Sequence, residues 1–154
     1  MSAQAATVVP LVVPLIDPQA AGRGVILHVD DDEPTRRATA MLLRTAGYET
    51  REAATGEQAL ALAATLRGRL DVLIADFHLG GGLTGTEVAE DLARVLGHAV
   101  PTIILTGDLA NAEVPWLAGA PVWLAHKPLN PDTLLAALPP LVAFRRAVAA
   151  TAPH

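Results

Sequence analysis

Residues 25–32 read VILHVDDD, a short and mostly apolar run that ends in three carboxylates. A continuous apolar run of this length is typical of a strand that is buried on both faces of a parallel sheet. A helix pattern follows at once, with Pro34 in its first turn and Gly47 as its stop signal. A strand that passes directly into a helix is the βα unit of α/β folds, so this stretch predicts that fold class.

The same alternation of strand and helix continues outward from this stretch to residue 138. Four more strands are predicted, at residues 49–53, 72–75, 102–105 and 122–125. Patterns typical of capping boxes begin at Thr55 and Thr84 and open the second and third helices. The polar strand at 49–53 suits an edge of the sheet. We therefore predict an α/β fold with a doubly wound, five-stranded parallel sheet and helices on both faces.

Prolines limit the last two predicted helices. Pro115 restricts a helix between residues 108 and 119 to a turn or two, because proline lacks the backbone N–H and clashes with the preceding turn. The final helix begins at residues 130–131, and we expect the pair Pro139–Pro140 to interrupt it. Residues 141–150 should then form a separate helical piece.

Three parts are expected along the chain. Residues 1–24 form an N-terminal extension, which we interpret as a flexible tail, with an arm that docks on a partner or a second copy as the alternative. Residues 25–138 form the domain, and residues 139–154 form a C-terminal helical extension. One side of that extension carries three apolar residues: Leu141, Phe144 and Val148. We expect them to pack back onto the domain, and a homodimer interface is the alternative.

The composition excludes several classes of function. The chain has 154 residues, no cysteine and a formal net charge of −5, so disulfide scaffolds, thiolate zinc sites and nucleic-acid binding are not expected. The apolar run at residues 8–16 is short and contains Pro10 and Pro14, and no positive charge precedes it. It therefore predicts neither a membrane span nor a secretory signal. Lys127 is the one lysine among 11 basic residues.

Reactive side chains follow four of the predicted strands. They are Asp30, Asp31, Asp32, Asp76, Thr106 and Lys127. The carboxyl ends of parallel strands meet at one edge of the sheet, where open α/β proteins bind ligands. Two carboxylates about 4 Å apart repel by on the order of 4 kcal/mol at an effective dielectric constant of about 20, so the cluster needs a cation or raised pKa values. Oxygen ligands with room for water favour Mg²⁺ as that cation.

Asp76 is suited to act as a nucleophile in such a cluster. A carboxylate whose charge is neutralised by a metal can attack a phosphoryl donor and form an aspartyl phosphate. The metal, Lys127 and the Thr106 hydroxyl would each hold one phosphoryl oxygen, which is the stabilisation that phosphoryl transfer requires. The residues themselves therefore point to phosphoryl chemistry at this edge of the sheet.

Four motifs give the chain a resemblance to a known family. They are VDDD at residues 29–32, DVLIAD at 71–76, LTG at 105–107 and HKP at 126–128. In this order and at these spacings they resemble the receiver domain of two-component response regulators, over about residues 25–138. The resemblance implies the flavodoxin-like strand order 2-1-3-4-5. It also implies a cytoplasmic phosphorelay protein, which a histidine kinase or phosphotransfer protein phosphorylates and which signals by contact with an effector protein.

The resemblance also implies a role for each acidic residue. Asp76 would be the phosphoacceptor and a Mg²⁺ ligand, and Asp31 would bind the metal directly. Asp30 would support the metal through water, and the backbone carbonyl of His78 would be the third protein ligand. Asp32 is better interpreted as the N-terminal cap of the first helix than as a ligand.

The remaining site residues are assigned by the same resemblance. Thr106 would supply the hydroxyl that meets the phosphoryl group, and Lys127 would pair with the phosphate. The Lys127–Pro128 peptide would be cis, which is uncommon for such bonds. The side chains of His78 and Asp108 should flank the path of a water that attacks the phosphoryl group, so we predict that they tune autodephosphorylation.

Two departures from the family pattern concern how the domain signals. Leu124 stands where the family commonly has an aromatic residue coupled to the switch threonine, and strand alternation turns the adjacent Trp123 to the other face. Gly80–Gly82 replaces the usual proline-containing loop and should make it more mobile. The residues of the last two motifs most resemble those of receivers attached to hybrid histidine kinases. No kinase or helix-turn-helix module accompanies them, so we predict a stand-alone receiver.

Two alternatives remain at this point. A degenerate receiver would act as a binding module independently of phosphorylation, which Leu124 and the broken helices suggest and the retained site residues oppose. A metal-dependent phosphohydrolase would use Asp76 as nucleophile, but His78 stands where such enzymes typically place a second aspartate. We expect a signalling domain that catalyses only its own phosphorylation and dephosphorylation.

Overall fold

The computed structural model describes residues 23–108 and 117–151. In this part of the chain the strands are β1 (Val25–Val29), β2 (Glu49–Ala53), β3 (Val72–Asp76), β4 (Thr102–Thr106) and β5 (Val122–His126). The helices are α1 (Glu33–Thr45), α2 (Gly56–Leu66), α3 (Gly85–Leu96) and α4 (Pro131–Thr151). Two short 3-10 turns lie at Arg67–Arg69 and Gly80–Gly82. Residues 1–22, and most of the short helix predicted between residues 108 and 119, lie outside the described residues.

The five strands form one parallel sheet in the order β2-β1-β3-β4-β5. The predicted fold class and strand order are confirmed. Every residue of β3 and β4 is buried, as expected for continuous apolar strands at the centre. The polar strand β2 lies at an edge, as predicted. The strand order reverses between β1 and β3, and the carboxyl ends of those two strands therefore face the crevice where ligands bind in such sheets.

Strand alternation divides the core into two layers, because successive side chains point to opposite faces. The face covered by α2 and α3 contains Leu27, Leu73, Ile104, Ala63, Val88 and Leu92. The face covered by α1 and α4 contains Ile26, Ile74, Ile103, Leu43, Leu134 and Leu138. Leu124 packs against the first layer and Trp123 against the second, so the predicted separation of these two side chains is confirmed.

The start of α3 matches its sequence pattern, and the start of α2 matches only in part. The Thr84 side chain accepts from the Glu87 N–H while the Glu87 carboxylate accepts from the Thr84 N–H, a complete capping box. Thr55 accepts from the Gln58 N–H at 3.1 Å, as expected. The Gln58 side chain, however, accepts from the Ala54 N–H, one residue before the cap.

The prediction that Pro139–Pro140 interrupts the last helix is wrong, because α4 runs unbroken from Pro131 to Thr151. Its buried side chains lie on both sides of the proline pair: Leu134, Ala137, Leu138, Leu141 and Val142. Full burial of a leucine contributes about 1.5–3 kcal/mol. An interior proline costs about 3 kcal/mol. Packing against the sheet therefore offsets the cost of the two prolines, and residues 141–150 are not a separate helical piece.

The C-terminal part of α4 packs against the domain up to Arg145, and residues 147–151 are exposed. Leu141 is buried in the second core layer, Phe144 is half-buried, and Val148 is 40% exposed. The expected packing of the apolar stripe is therefore confirmed at Leu141. By length and hydropathy alone α4 could also cross a membrane. One face of α4 belongs to the core of the domain, and core helices of soluble proteins often meet this criterion of length and hydropathy.

Two arginines attach the end of α4 to the edge of the sheet opposite the acidic residues. Arg146 Nη2 lies 3.6 Å from Oδ2 of the buried Asp71, and that same oxygen accepts from the Val25 N–H. Arg145 is buried, and its Nη2 lies 2.8 Å from His98 Nε2. Because a guanidinium only donates, this nitrogen of His98 must be the acceptor, and the contact requires a neutral ring.

Replacing both prolines of α4 by alanine should stabilise the protein. Pro139 is exposed and Pro140 half-buried, so the change removes little packing while it restores two backbone donors to the helix. We expect the P139A/P140A variant to have a free energy of unfolding about 1–3 kcal/mol higher than the parent. Urea denaturation followed by far-UV circular dichroism measures this difference. An unchanged or lower value would mean that the two prolines do not destabilise α4.

The His98–Arg145 contact should make stability depend on pH. Burial, and next the charge of Arg145, lower the pKa of His98 below its ordinary value of 6.5. The unfolded chain therefore binds the proton more readily than the folded chain. The stability that the neutral His98 ring contributes is therefore complete above pH 6.5. It is lost as the pH falls from 6.5 toward the lowered pKa of His98 in the folded protein. A His98→Gln variant should lose less stability than the parent between pH 7.5 and pH 5.5 in urea titrations, and equal losses would refute the assignment.

Candidate functional site

Three carboxylates meet at the carboxyl ends of β1 and β3. Asp30, Asp31 and Asp76 each offer an oxygen, and these oxygens all lie within 4.8 Å of one another. Asp30 and Asp76 are buried, whereas Asp31 is exposed. Among the residues that the structure describes, this is the one group of acidic or histidine side chains that could hold a metal ion. The site predicted from the strand ends therefore assembles around these three residues.

Backbone hydrogen bonds beyond the strand ends hold the site residues in place. Each joins a residue at or next to the site to the neighbouring strand: Asp30 N–H to Ala53 O at 3.0 Å, Phe77 N–H to Leu105 O at 2.7 Å, and Lys127 N–H to Thr106 O at 2.8 Å. These bonds continue the parallel ladder by one residue. The sheet itself thus sets the backbone positions of Asp30, Asp76 and Lys127.

An ion pair joins Lys127 to Asp76, with 2.7 Å between Nζ and Oδ1. Burial, and next the neighbouring Asp30, raise the pKa of Asp76 to about 7, while Lys127 opposes the rise. Burial lowers the pKa of Lys127, but the carboxylates of Asp76 and Asp30 outweigh it and raise that pKa overall. The lysine therefore stays charged and partly offsets the repulsion between the carboxylates.

The donor set fits a hard dication. Asp30 Oδ1 accepts from the Asp32 N–H at 2.9 Å, but Oδ2 is buried and has no hydrogen-bond partner among the described residues. A buried carboxylate oxygen without a donor is costly, and a cation would satisfy it. All three side chains of the cluster offer oxygen, which is the ligand atom that Mg²⁺ prefers. The predicted Mg²⁺ site is therefore compatible with the residues that the fold brings together.

Asp32 lies next to the cluster in sequence but faces the helix. Its Oδ2 accepts from the Thr35 N–H at 3.1 Å and also contacts the Thr35 hydroxyl. Hydrogen bonds from the side chain and the backbone of Thr35 lower the pKa of Asp32. The prediction that Asp32 caps α1 is confirmed.

The residues predicted to handle the phosphoryl group lie around the same edge. Thr106 is buried at the end of β4, and its Oγ1 accepts from the Asp108 N–H at 3.1 Å. Asp108 is exposed. His78 is also exposed, and its ring packs edge-on against Phe77 with 4.8 Å between the ring centroids. The Lys127–Pro128 bond is cis, as predicted.

The loop after β3 is closed at its base and free of side chains at its tip. An isolated bridge joins His78 to Thr84, and the Leu79 N–H donates to Leu83 O at 3.2 Å. Gly80–Gly82 form a 3-10 turn, and a Cβ at Gly80 would lie 3.4 Å from Asp31 Oδ2. Gly80 therefore lies directly beside the acidic cluster, whereas a Cβ at Gly81 or Gly82 would meet nothing within 4 Å.

The family model for the response regulator receiver domain matches residues 26–139. The chain belongs to this family. The transcriptional regulatory protein PhoB of the phosphate regulon of Pseudomonas aeruginosa is 36% identical over 116 residues, which are 73% of this chain and 49% of PhoB. The chain thus spans about half the length of this curated relative. Receiver domains are signalling domains, and the resemblance that the four motifs carry is confirmed.

Solved receiver structures agree with this fold. The receiver domain of the hybrid histidine kinase CckA is 31% identical, with a TM-score of 0.64, and the match covers 77% of this chain and 99% of that chain. A response regulator from Burkholderia pseudomallei was solved with a phosphorylated aspartic acid, a calcium ion and citrate. It is 27% identical, with a TM-score of 0.61, and the match covers 82% of this chain and 73% of that chain.

Sequence reasoning missed Arg36 and Glu52, which lie behind the acidic cluster. Arg36 Nη1 donates to the Asp30 carbonyl at 2.9 Å, and its Nε lies 3.5 Å from Glu52 Oε1. Arginine and glutamate on a helix and an edge strand ordinarily indicate solvent-exposed positions. The spacing of six residues between Asp30 and Arg36 is no recognised motif, so only the fold reveals this contact.

Gly85 should be essential for the shape of the phosphoacceptor strand end. It begins α3, its N–H donates to Phe77 O, and a Cβ there would lie 2.3 Å from the Asp76 carbonyl oxygen. We expect Gly85→Ala to lower the free energy of unfolding by about 1–3 kcal/mol, because the backbone must move. Gly68→Ala is the control, since a Cβ there meets nothing within 4 Å. Equal unfolding midpoints in urea for the two variants would contradict the prediction.

Proposed function

We propose that this receiver is a single-domain response regulator. In a Mg²⁺-dependent reaction, its Asp76 would accept a phosphoryl group from a phosphohistidine of another protein. The observation that carries the proposal is the cluster of Asp30, Asp31 and Asp76, with Lys127 Nζ 2.7 Å from Asp76 Oδ1. The phosphorylated aspartic acid of the Burkholderia relative supports the same chemistry.

The proposal includes the setting in which the receiver works. Its phosphodonor would be a histidine kinase or a phosphotransfer protein, and its output would be contact with an effector protein. We place it in the cytoplasm, where such kinases present their phosphohistidines. Residues 1–24 would be an extension outside the receiver proper, which occupies residues 25–138, and residues 139–154 would follow it as the distal part of α4 and the C-terminus.

Phosphoryl transfer then follows from the arrangement of the side chains. An Asp76 carboxylate oxygen attacks phosphorus, the phosphorus–nitrogen bond to the donor imidazole breaks, and the electron pair leaves with that nitrogen. Lys127 is close enough to Asp76 to pair with the incoming phosphoryl oxygens, and Thr106 would donate its hydroxyl to another. Mg²⁺, held by Asp31, Asp76 and the His78 carbonyl with Asp30 behind water, would neutralise the charge that these groups share.

A receiver that binds its partner independently of phosphorylation is the second candidate. Leu124 favours it, because an aromatic switch residue is missing from β5 and Trp123 packs in the opposite core layer. The buried Thr106 and the Lys127–Asp76 pair favour the phosphorylated switch. We therefore keep phosphorylation as the proposed trigger.

Intact mass spectrometry after incubation with Mg²⁺ and acetyl phosphate tests the proposal. We expect a stable adduct of one phosphoryl group on the parent and none on Asp76→Asn, which keeps the shape of the side chain without its nucleophile. Lys127→Arg should lose at least tenfold in adduct yield, because a planar guanidinium does not replace a compact ammonium. No adduct on the parent would favour the binding module, and continuous release of phosphate would favour a phosphohydrolase.

The lifetime of the phosphoryl group should depend on His78 and Asp108. Both residues are exposed at the site, where their side chains would order or hinder an attacking water. We expect the H78A/D108A variant to change the half-life of the purified phosphoprotein by at least threefold, with an unchanged initial rate of adduct formation. Phosphate release at fixed pH measures it, and Asp132→Ala is the control, because Asp132 lies on α4 outside the site. An unchanged half-life would remove both residues from the mechanism.

A further inference from the structure

Asp30 is held at three of its four polar atoms. Its N–H donates to Ala53 O at 3.0 Å, and its carbonyl accepts from Arg36 Nη1 at 2.9 Å. Its Oδ1 accepts from the Asp32 N–H at 2.9 Å. The fourth atom, Oδ2, is buried without a hydrogen-bond partner among the described residues. These contacts leave Oδ2 as the one polar atom of Asp30 without a hydrogen bond, and it lies 4.0 Å from Nε2 of the buried His28.

Arg36 connects this aspartate to the edge strand. The guanidinium donates to the Asp30 carbonyl through Nη1, and its Nε lies 3.5 Å from Glu52 Oε1 on β2. The side chains of Arg36 and Glu52 are only 13% and 18% exposed. An ion pair with this little exposure is screened less than a surface pair and holds its partners more strictly. The two side chains therefore form a brace between α1, β2 and the end of β1.

Two other arginines of α1 reach the same glutamate but do not make the bond to Asp30. Arg37 Nε lies 3.7 Å from Glu52 Oε1, and its side chain is 67% exposed. Arg44 Nη1 lies 3.0 Å from Glu52 Oε2, and its Nη2 donates to Thr50 O. Arg37 and Arg44 pair with Glu52, whereas the bond to the Asp30 carbonyl comes from Arg36. Variants of Arg37 and Arg44 therefore show the effect of losing an ion pair to β2 while the bond from Arg36 to Asp30 is kept.

We propose that Arg36, positioned by Glu52, is a positioning residue for the cation site and acts through the backbone carbonyl of Asp30. This inference rests on the proposed function of the acidic cluster. Arg36 does not touch the carboxylates of that cluster itself. Its bond restrains the peptide that carries the Asp30 side chain, and with it the position of the Asp30 carboxylate in the cluster. Residues that orient metal ligands from behind commonly affect metal affinity by about 10- to 100-fold.

The test compares Arg36→Met with Arg37→Met in the full chain. Isothermal titration calorimetry with MgCl₂ should give a Kd about tenfold higher for Arg36→Met, and a Kd within about twofold of the parent for Arg37→Met. Arg36→Lys should recover part of the loss, because one ammonium can reach the Asp30 carbonyl but cannot also reproduce the Glu52 contact. At saturating Mg²⁺, the rate at which acetyl phosphate phosphorylates Arg36→Met should remain within about twofold of the parent rate.

A metal-free measurement distinguishes positioning from general loss of structure. In NMR hydrogen exchange without Mg²⁺, the Asp32 amide should exchange faster in Arg36→Met, because it donates to the Asp30 side chain. Amides of the central strand β3 should keep their protection. Equal loss of protection in both regions would mean that Arg36 has only a structural role, and it would overturn the proposal.

The remaining outcomes separate this inference from the proposed function. If the parent accepts a phosphoryl group but Arg36→Met binds Mg²⁺ as tightly as the parent, the positioning role is wrong and the function stands. If the parent accepts no phosphoryl group yet Arg36→Met binds Mg²⁺ more weakly than Arg37→Met, the function is wrong and the positioning role stands.

Discussion

Repulsion among Asp30, Asp31 and Asp76 is the constraint on which the rest of this receiver depends. Their oxygens lie within 4.8 Å of one another, and two of the three side chains are buried. Each such pair costs on the order of a few kcal/mol at an effective dielectric constant of about 20. The fold sustains this arrangement because Asp30 follows β1 and Asp76 ends β3, where the sheet fixes the backbone, and because Lys127 pairs with Asp76. A pocket that is short of positive charge favours a cation, in agreement with the Mg²⁺-dependent phosphorylation that we propose.

The two ends of the parallel strands differ in how their polar groups are paired. At the carboxyl ends of the strands, polar atoms are left without full compensation, as at Asp30 Oδ2. At the opposite edge, polar groups pair with one another, as Asp71 does with Val25 and Arg146. Stability therefore comes from the apolar layers and from the polar pairs at the amino ends of the strands. The site at the carboxyl ends can consequently keep carboxylates that repel one another. The long helix α4 contributes to stability in two ways, because its apolar side chains fill the second core layer and its Arg146 pairs with Asp71.

Sequence patterns predicted the fold well where local and tertiary preferences agree. The buried run of β3, the polar edge strand β2 and the cap at Asp32 follow from residue type alone. Prediction failed at Pro139–Pro140, because the cost of proline is local whereas the compensating burial comes from residues distant in sequence. It also missed Arg36, whose contact with Asp30 depends on how α1 packs beside β2.

By itself, the sequence determined the order of strands and helices and the identity of the groups at each strand end, because hydrophobic period and residue chemistry are local properties. It also determined the family, through four motifs in order. Only the tertiary structure decided which oxygen of Asp30 stays free, that Lys127 meets Asp76, and that α4 continues through two prolines. Those outcomes depend on distances between segments far apart in the chain, and such distances are set by packing and not by any single stretch of sequence.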